Sequence, residues 1–195
     1  MHRMEPYTPR QRETIFKKID LAYTKFEAKL KAQGKQLVWE TEKGIYGAAP
    51  CKRLFTFFKK IGLENFKRFI DLGSGDGRAV MIASLFTEAS GIEADEELLA
   101  VGQRIRHELG LQCHFIQGDF LEQDLSEYDI LFINPDQGFQ KGLDEKLLKE
   151  MNGTLYVHNN IFLPEKLKKG KSTWVDGVAI IQYTRIATKA NIDIT

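Results

Sequence analysis

Cysteine is almost absent from this chain. Cys51 and Cys113 are the only two in 195 residues. Two isolated thiols build neither a disulfide framework nor a zinc site, and they read as buried free thiols. Histidine is scarce as well. His107 falls in a helical stretch, His114 in an extended one and His158 at the end of another, with no pair at metal-ligand spacing, so no metal is expected. No apolar run approaches the roughly 18 residues that span a bilayer. Met1-His-Arg-Met-Glu-Pro6 carries no apolar signal core, so a cytoplasmic address is expected. There is no internal repeat, no low-complexity linker and no Tyr-x-x-x-Lys pair of the kind short-chain reductases use.

The remaining composition is that of an ordinary globular chain, 43% hydrophobic and 28% charged, and its length suits one domain with a sizeable core. Its net charge of +1 conceals an asymmetry. Through Asn65 there are 14 Lys and Arg against 7 Asp and Glu, a net +7, which leaves −6 for the rest. A basic N-terminal third suits a nucleic acid, an anionic surface or an acidic protein, or simply a solvated helix face.

The chain is organised around residues 67–78, Lys-Arg-Phe-Ile-Asp-Leu-Gly-Ser-Gly-Asp-Gly-Arg. Phe69 and Ile70 close an apolar run as the end of a buried strand does, and Asp71 follows. Gly73, Gly75 and Gly77 come at every second position, and from Arg78 the pattern turns helical. A strand, a glycine turn and a helix build a small-molecule pocket at the top of an open sheet, with helix N–H groups pointing into it. The spacing is G-x-G-x-G behind an acid, not the G-x-G-x-x-G of dinucleotide binders. A second short strand ends in Glu93, 22 residues past Asp71. An acid at that distance suits two ribose hydroxyls.

Asp71-Leu-Gly-Ser-Gly-Asp-Gly77 resembles motif I of the seven-strand, class I S-adenosylmethionine-dependent methyltransferases, and Glu93 is the second match to that pattern. The resemblance extends from Phe69 to about Arg185. It implies an α/β, doubly wound, Rossmann-like seven-strand methyltransferase sheet with a reversed final strand, here preceded by N-terminal helices. It also implies S-adenosyl-L-methionine as cofactor. Asp71, Gly73, Ser74, Gly75 and Gly77 would wrap its methionine half and ribose edge. Glu93 would take the ribose hydroxyls, Asp119 the adenine amino group, and Phe120 would lie against the ring. Asp-Leu-Gly-Ser-Gly-Asp-Gly-Arg (71–78) and Leu143-Asp-Glu-Lys-Leu-Leu are similar to the single-domain protein-lysine methyltransferases of archaeal type and their mitochondrial relatives. The same motif I wording occurs in the seven-strand histone lysine methyltransferases.

Upstream, Thr8-Pro9 with Gln11 reads as a capping box opening a helix of about 25 residues that Gly34 stops. Residues 37–50 are rich in aromatics and glycine and precede a second helix, Cys51 to Ile61. Family likeness makes them a lid over the cofactor, with Tyr46 its contact. Residues 1–66 thus form a helical extension and lid, and 67–195 the cofactor-binding domain, in one compact unit overall. Asp176-Gly177 marks a closing hairpin.

Residues 111–116 and 128–133 read as the third and fourth strands, the fourth ending at Asn134-Pro135-Asp136-Gln137, where Asn134 and then Asp136 are placed to orient an acceptor amine. The same turn matches the first half of the Asn/Asp-Pro-Pro-aromatic signature of amino-methyltransferases acting on adenine or glutamine, with Phe139 following at a different spacing from the signature's aromatic. His158-Asn159-Asn160 lies at the rim of the acceptor entrance. The resemblance to the protein-lysine methyltransferases implies methyl transfer to a protein lysine. A nucleic-acid or small-molecule amine as acceptor and a non-catalytic binding module are the alternatives. Acceptor identity and oligomeric state stay open.

Overall fold

The structure is a computed structural model that describes residues 7–41, 44–159 and 161–186; Asn160 lies outside the described residues. Helix α1 (Pro9–Ala32) is opened by the Thr8–Gln11 capping box and closes on Lys29 and Lys31, whose charges suit the negative end of the helix. Strands β1 (Val38–Thr41) and β2 (Gly44–Gly47) pair antiparallel. Helix α2 (Cys51–Ile61) ends in a left-handed Gly62, and a short 3-10 turn (Leu63–Asn65) leads into the sheet.

The sheet domain runs β3 (Arg68–Leu72), α3 (Arg78–Ala83), β4 (Glu88–Glu93), α4 (Glu96–Leu109), β5 (His114–Gln117), β6 (Ile130–Ile133), α5 (Leu143–Glu150), β7 (Thr154–His158), β8 (Lys168–Val175) and β9 (Val178–Thr184). The spatial order is β5-β4-β3-β6-β7-β9-β8. Pairing is parallel from β5 to β7, and β9 runs antiparallel between β7 and β8. Strand order reverses beside β3, the place where open α/β sheets bind ligands. The Asp176-Gly177 turn has positive φ at both residues (48° and 74°), as a two-residue hairpin requires.

Side chains of the central strands alternate between two cores. Phe69, Ile130, Phe132, Tyr156 and Ile180 face α1 to α4, whereas Ile70, Leu131, Ile133, Leu155, Val157 and Ile181 face α5 and its flanking loops. Phe58 is fully buried and meets the rings of Phe57, Phe69, Phe86 and Phe132. Removing such a ring costs roughly 3–5 kcal/mol. Phe16, Ile19 and Tyr23 of α1 belong to that same core, so the N-terminal helix packs as part of the sheet domain.

Three elements are shorter than their apolar patterns suggest. The third sheet strand starts at His114, although the apolar run begins at Leu111, because only residues 114–117 pair with β4. The fourth starts its pairing at Ile130, and the side chain of Asp129 just before it accepts the N–H groups of Lys67 and Arg68 (2.7 and 2.9 Å). Helix α3 stops after six residues.

Candidate functional site

The turn after β3 is built by Gly73, Gly75 and Gly77, with φ of 73°, 55° and 79°. The N–H groups of Gly73 and Ser74 both donate to Ile92 O of β4 (3.0 and 2.8 Å), which pins the turn to the neighbouring strand. Asp71 at the end of β3 is 4% exposed. Burial, then the nearby Glu93 and Asp76 charges, push its carboxyl well above the usual carboxylate range. Glu93 closes β4 with both oxygens anchored: Oε2 accepts from Gly75 N–H (2.6 Å) and Oε1 from Asp95 N–H (2.8 Å). Asp119 accepts the N–H of Leu121 (2.8 Å), and Phe120 beside it is half-buried.

Asp71, Gly73, Ser74, Gly75, Glu93, Asp119, Phe120, Tyr46, Asn134 and Asp136 all line one cavity of about 400 Å³, within the range of small-molecule sites. Gly77 is not among its lining residues. It starts α3 in the left-handed region, and a Cβ there would sit 2.4 Å from the Phe115 ring, so its glycine serves close packing.

The segment expected to be a lid is the β1–β2 hairpin, held over the cavity at three points. Tyr46 donates to Asp76 Oδ2 (2.7 Å), Ile45 N–H to Asp136 Oδ2 (2.7 Å), and Asn134 Nδ2 to Gly47 O (2.9 Å). Trp39 backs Tyr46 at 4.3 Å between ring centroids. Asn134 and Asp136, read from sequence as groups that orient an acceptor, thus also hold the hairpin down. Asn134 Oδ1 in turn contacts His158 Nδ1 (2.9 Å) and accepts from Asn159 (3.2 Å). His158 is buried behind the rim, and Phe139 is 1% exposed in the α5-side core. That removes Phe139 as a stacking surface within the cavity.

Sequence reading missed the polar cluster beneath the lid. Arg78 clasps Asp76 (Nη2 to Oδ2, 2.7 Å) and reaches Glu27 of α1 (2.8 Å), with its guanidinium 4.6 Å from the Tyr23 ring centroid. Tyr23 donates to Asp76 O (2.7 Å). Burial opposes the Arg78 charge, but Asp76 outweighs it and keeps the guanidinium protonated. Burial, then Asp76, likewise keeps the Tyr46 phenol protonated. Tyr23 counts as one more apolar-stripe residue in the pattern of α1; only the place of its hydroxyl reveals the second role.

Within the N-terminal third, Arg12 pairs with Glu64 (3.0 Å) and Lys59 with Glu13 (2.9 Å). Among the described residues no group of three or more His, Cys, Asp or Glu is placed to hold a metal ion, and no helix is long and apolar enough to cross a membrane.

A parallel sheet with a reversed strand inserted before the edge, a glycine turn after its central strand and an acid at the end of the next define the class I S-adenosylmethionine-dependent methyltransferase fold. An RNA methyltransferase from Salinibacter ruber, solved with S-adenosyl-L-homocysteine, superposes with a TM-score of 0.64 at 21% identity, over 75% of this chain and 99% of that one. A mitomycin 7-O-methyltransferase does so with a TM-score of 0.60 at 15% identity, over 70% and 54%. These likenesses carry the fold. Within the class, the chain belongs to the family described as "Histone methylation protein DOT1", which matches residues 39–186. A histone-lysine N-methyltransferase of Emericella nidulans, specific for H3 lysine-79, is 29% identical over 121 residues, covering 53% of this chain. The chain spans only 24% of that relative's length.

Proposed function

We propose that this chain transfers a methyl group from S-adenosyl-L-methionine to the side-chain amine of a protein lysine. The observation that carries the reading is the match of residues 39–186 to a histone methylation family, in a chain whose cavity brings the glycine turn and the Asn134–Asp136 turn together.

The cavity fits the cofactor. Ser74 Oγ is buried with no hydrogen-bond partner among the described residues, and it lines the cavity. A Cβ at Gly73 would meet nothing within 4 Å, so the backbone there is open to a ligand. Asp71 and Glu93 face the same space, which favours a cationic ligand. Asp71, Gly73, Ser74 and Gly75 would hold the methionine half, Glu93 the ribose, and Asp119 and Phe120 the adenine. Gly77 shapes the turn from behind.

When bound, the cofactor supplies a methyl group already activated by its sulfonium. The residues then have to hold an uncharged amine in line and keep water out. An incoming lysine, with an unperturbed pKa of about 10.4, must shed a proton first, and desolvation under the lid beside a positive sulfonium favours that loss. Asp136 has one carboxylate oxygen fixed by Ile45 N–H and offers the other to the amine. Asn134 has its carbonyl oxygen engaged by His158 and Asn159, so its part is to keep the hairpin closed and its second N–H available.

The test is incubation with radiolabelled S-adenosylmethionine and a cell extract, split between protease and nuclease before separation. Label that survives nuclease, is lost to protease and yields methyllysine on hydrolysis supports the reading. Label lost to nuclease alone overturns it in favour of a nucleic-acid amine.

A further inference from the structure

We infer that His158 is a positioning residue: its ring fixes the side-chain amide of Asn134 in the one orientation that latches the β1–β2 hairpin over the cavity. The inference rests on the proposed site only in that Asn134 lies within it.

The argument begins with an atom that cannot donate. Gly47 C=O is an acceptor, so the Asn134 atom 2.9 Å from it must be Nδ2. That choice turns Oδ1 toward His158 Nδ1 (2.9 Å) and Asn159 Nδ2 (3.2 Å). Oδ1 only accepts, so Nδ1 of His158 must carry the hydrogen. Burial, then the charge of Arg53, lower the His158 pKa to about 4, so the ring has a single N–H at neutral pH and Nε2 is bare. Nε2 is in fact buried with no partner among the described residues. The tautomer, the amide orientation and the lid contact are thus one linked choice. A flipped amide would set oxygen against oxygen at Gly47 and nitrogen against nitrogen at Asn159.

The fold places this pair by register. Ile133 of β6 lies opposite Val157 of β7, so Asn134 and His158 leave the ends of neighbouring parallel strands side by side. A second observation points to the same amide. Asn159 sits at φ 90°, where non-glycine residues are uncommon. Its side chain bridges Asn134 Oδ1 and the Ile161 N–H (2.9 Å). Backbone strain of that kind persists where surrounding contacts demand the conformation.

The chain's two tryptophans give a direct readout. Trp39 packs on Tyr46 in the hairpin, whereas Trp174 is exposed on the edge strand β8. In a Trp174→Phe background, acrylamide quenching of Trp39 reports lid closure with no acceptor present. His158→Asn keeps an N–H on the atom that matches Nδ1, His158→Gln moves its amide one carbon further out, and His158→Leu has none. The expected result is quenching about two-fold stronger in the Gln and Leu variants than in the parent, with Asn close to the parent. Dissociation of S-adenosylhomocysteine should follow the same order, about ten-fold faster in Gln and Leu. Equal behaviour of all three variants, changed or unchanged, overturns the inference, because packing alone would then explain His158. Nitrogen-15 spectra of the wild-type imidazole provide a check that needs no variant: Nδ1 protonated and Nε2 bare at neutral pH is expected, and the opposite tautomer overturns it. Both readouts stand if the methyl acceptor proves to be something other than lysine.

Discussion

The hydroxyl of Tyr46, on the hairpin, donates to the carboxylate of Asp76, in the glycine turn, at 2.7 Å and away from solvent. The Tyr46 ring also lies against Gly75, where an added methyl would come within 3.1 Å of it. Lid and cofactor turn are therefore tied by one hydrogen bond and one packed face. Tyr46→Phe keeps the face and removes the bond. A hydrogen bond to a charged group contributes about 1.5–3 kcal/mol, so S-adenosylmethionine affinity should fall by at least about ten-fold in calorimetry, at 1.4 kcal/mol per decade. Arg78 still neutralises Asp76, so the fold survives, with the thermal midpoint lowered by several degrees at about 2–4 °C per kcal/mol. An unchanged dissociation constant would show that the lid is held by its other contacts alone.

Arg78 ties the glycine turn just before it to helix α1, 51 residues upstream. Its guanidinium clasps Asp76, reaches Glu27 of α1 and lies over Tyr23. Arg78→Met strands Asp76 in a buried position, and breaking a buried pair this way costs about 3–5 kcal/mol, measurable by urea denaturation. Arg78→Lys should recover less than half of that loss, because a point charge cannot span two carboxylates in the planar geometry of a guanidinium. A lysine variant as stable as the parent would sink the geometric account.

Much of this site is legible in the chain because it depends on local pattern. The strand, glycine turn and helix at 68–83 follow from an apolar run, glycine spacing and a helical repeat. Glu93 follows from distance along the chain, and the closing hairpin from Asp176-Gly177. What stays hidden depends on backbone partners or on very distant ones. Asn134 grips a carbonyl 87 residues away, and a carbonyl has no signature in sequence. The lid is a hairpin of two four-residue strands, too short for an alternation to register. Tyr23 fits the apolar stripe of α1 so well that its hydroxyl, a polar link from that helix to the glycine turn, escapes notice.

Asp71 should trade stability for binding. Burial, then Glu93 and Asp76, raise its carboxyl pKa in the folded chain, so the folded state holds that proton more tightly than the unfolded state does. The stability this contributes is full below the unfolded value, about 3.9, and is lost as pH rises through the folded value. Above that folded value the free protein carries an unfavourable ionised group. Asp71→Asn should raise the thermal midpoint of the ligand-free protein by a few degrees, about 2–4 °C per kcal/mol at this size. It should also weaken S-adenosylmethionine binding severely. The wild-type affinity for this cation should decline as pH falls through the Asp71 titration, while the Asn variant shows no such dependence. A variant that binds normally, or a wild-type profile that rises toward acid, would remove Asp71 from the site.

Gly73 and Gly77 have nearly the same backbone angle, 73° and 79°, and alanine should separate them cleanly. Each substitution places an L-residue in the left-handed region, which costs roughly 1–2 kcal/mol. At Gly73 that is the whole structural cost, since the new methyl meets no atom within 4 Å. The methyl would, however, project from a residue lining the cavity, where the backbone must be approached closely by the ligand. At Gly77 the methyl lies 2.4 and 2.5 Å from two ring atoms of Phe115, with Gly102 Cα behind at 3.4 Å. The ring therefore has to move within a packed layer between α3, α4 and β5, and such overpacking adds about 1–3 kcal/mol. Gly73→Ala should lose only that roughly 1–2 kcal/mol in urea unfolding, yet bind S-adenosylmethionine at least about ten-fold more weakly. Gly77→Ala should unfold at clearly lower urea and, while still folded, retain most of its affinity. If Gly73→Ala binds like the parent, the cofactor does not approach the turn at that residue; if it melts as early as Gly77→Ala, the open space beside Gly73 is not there.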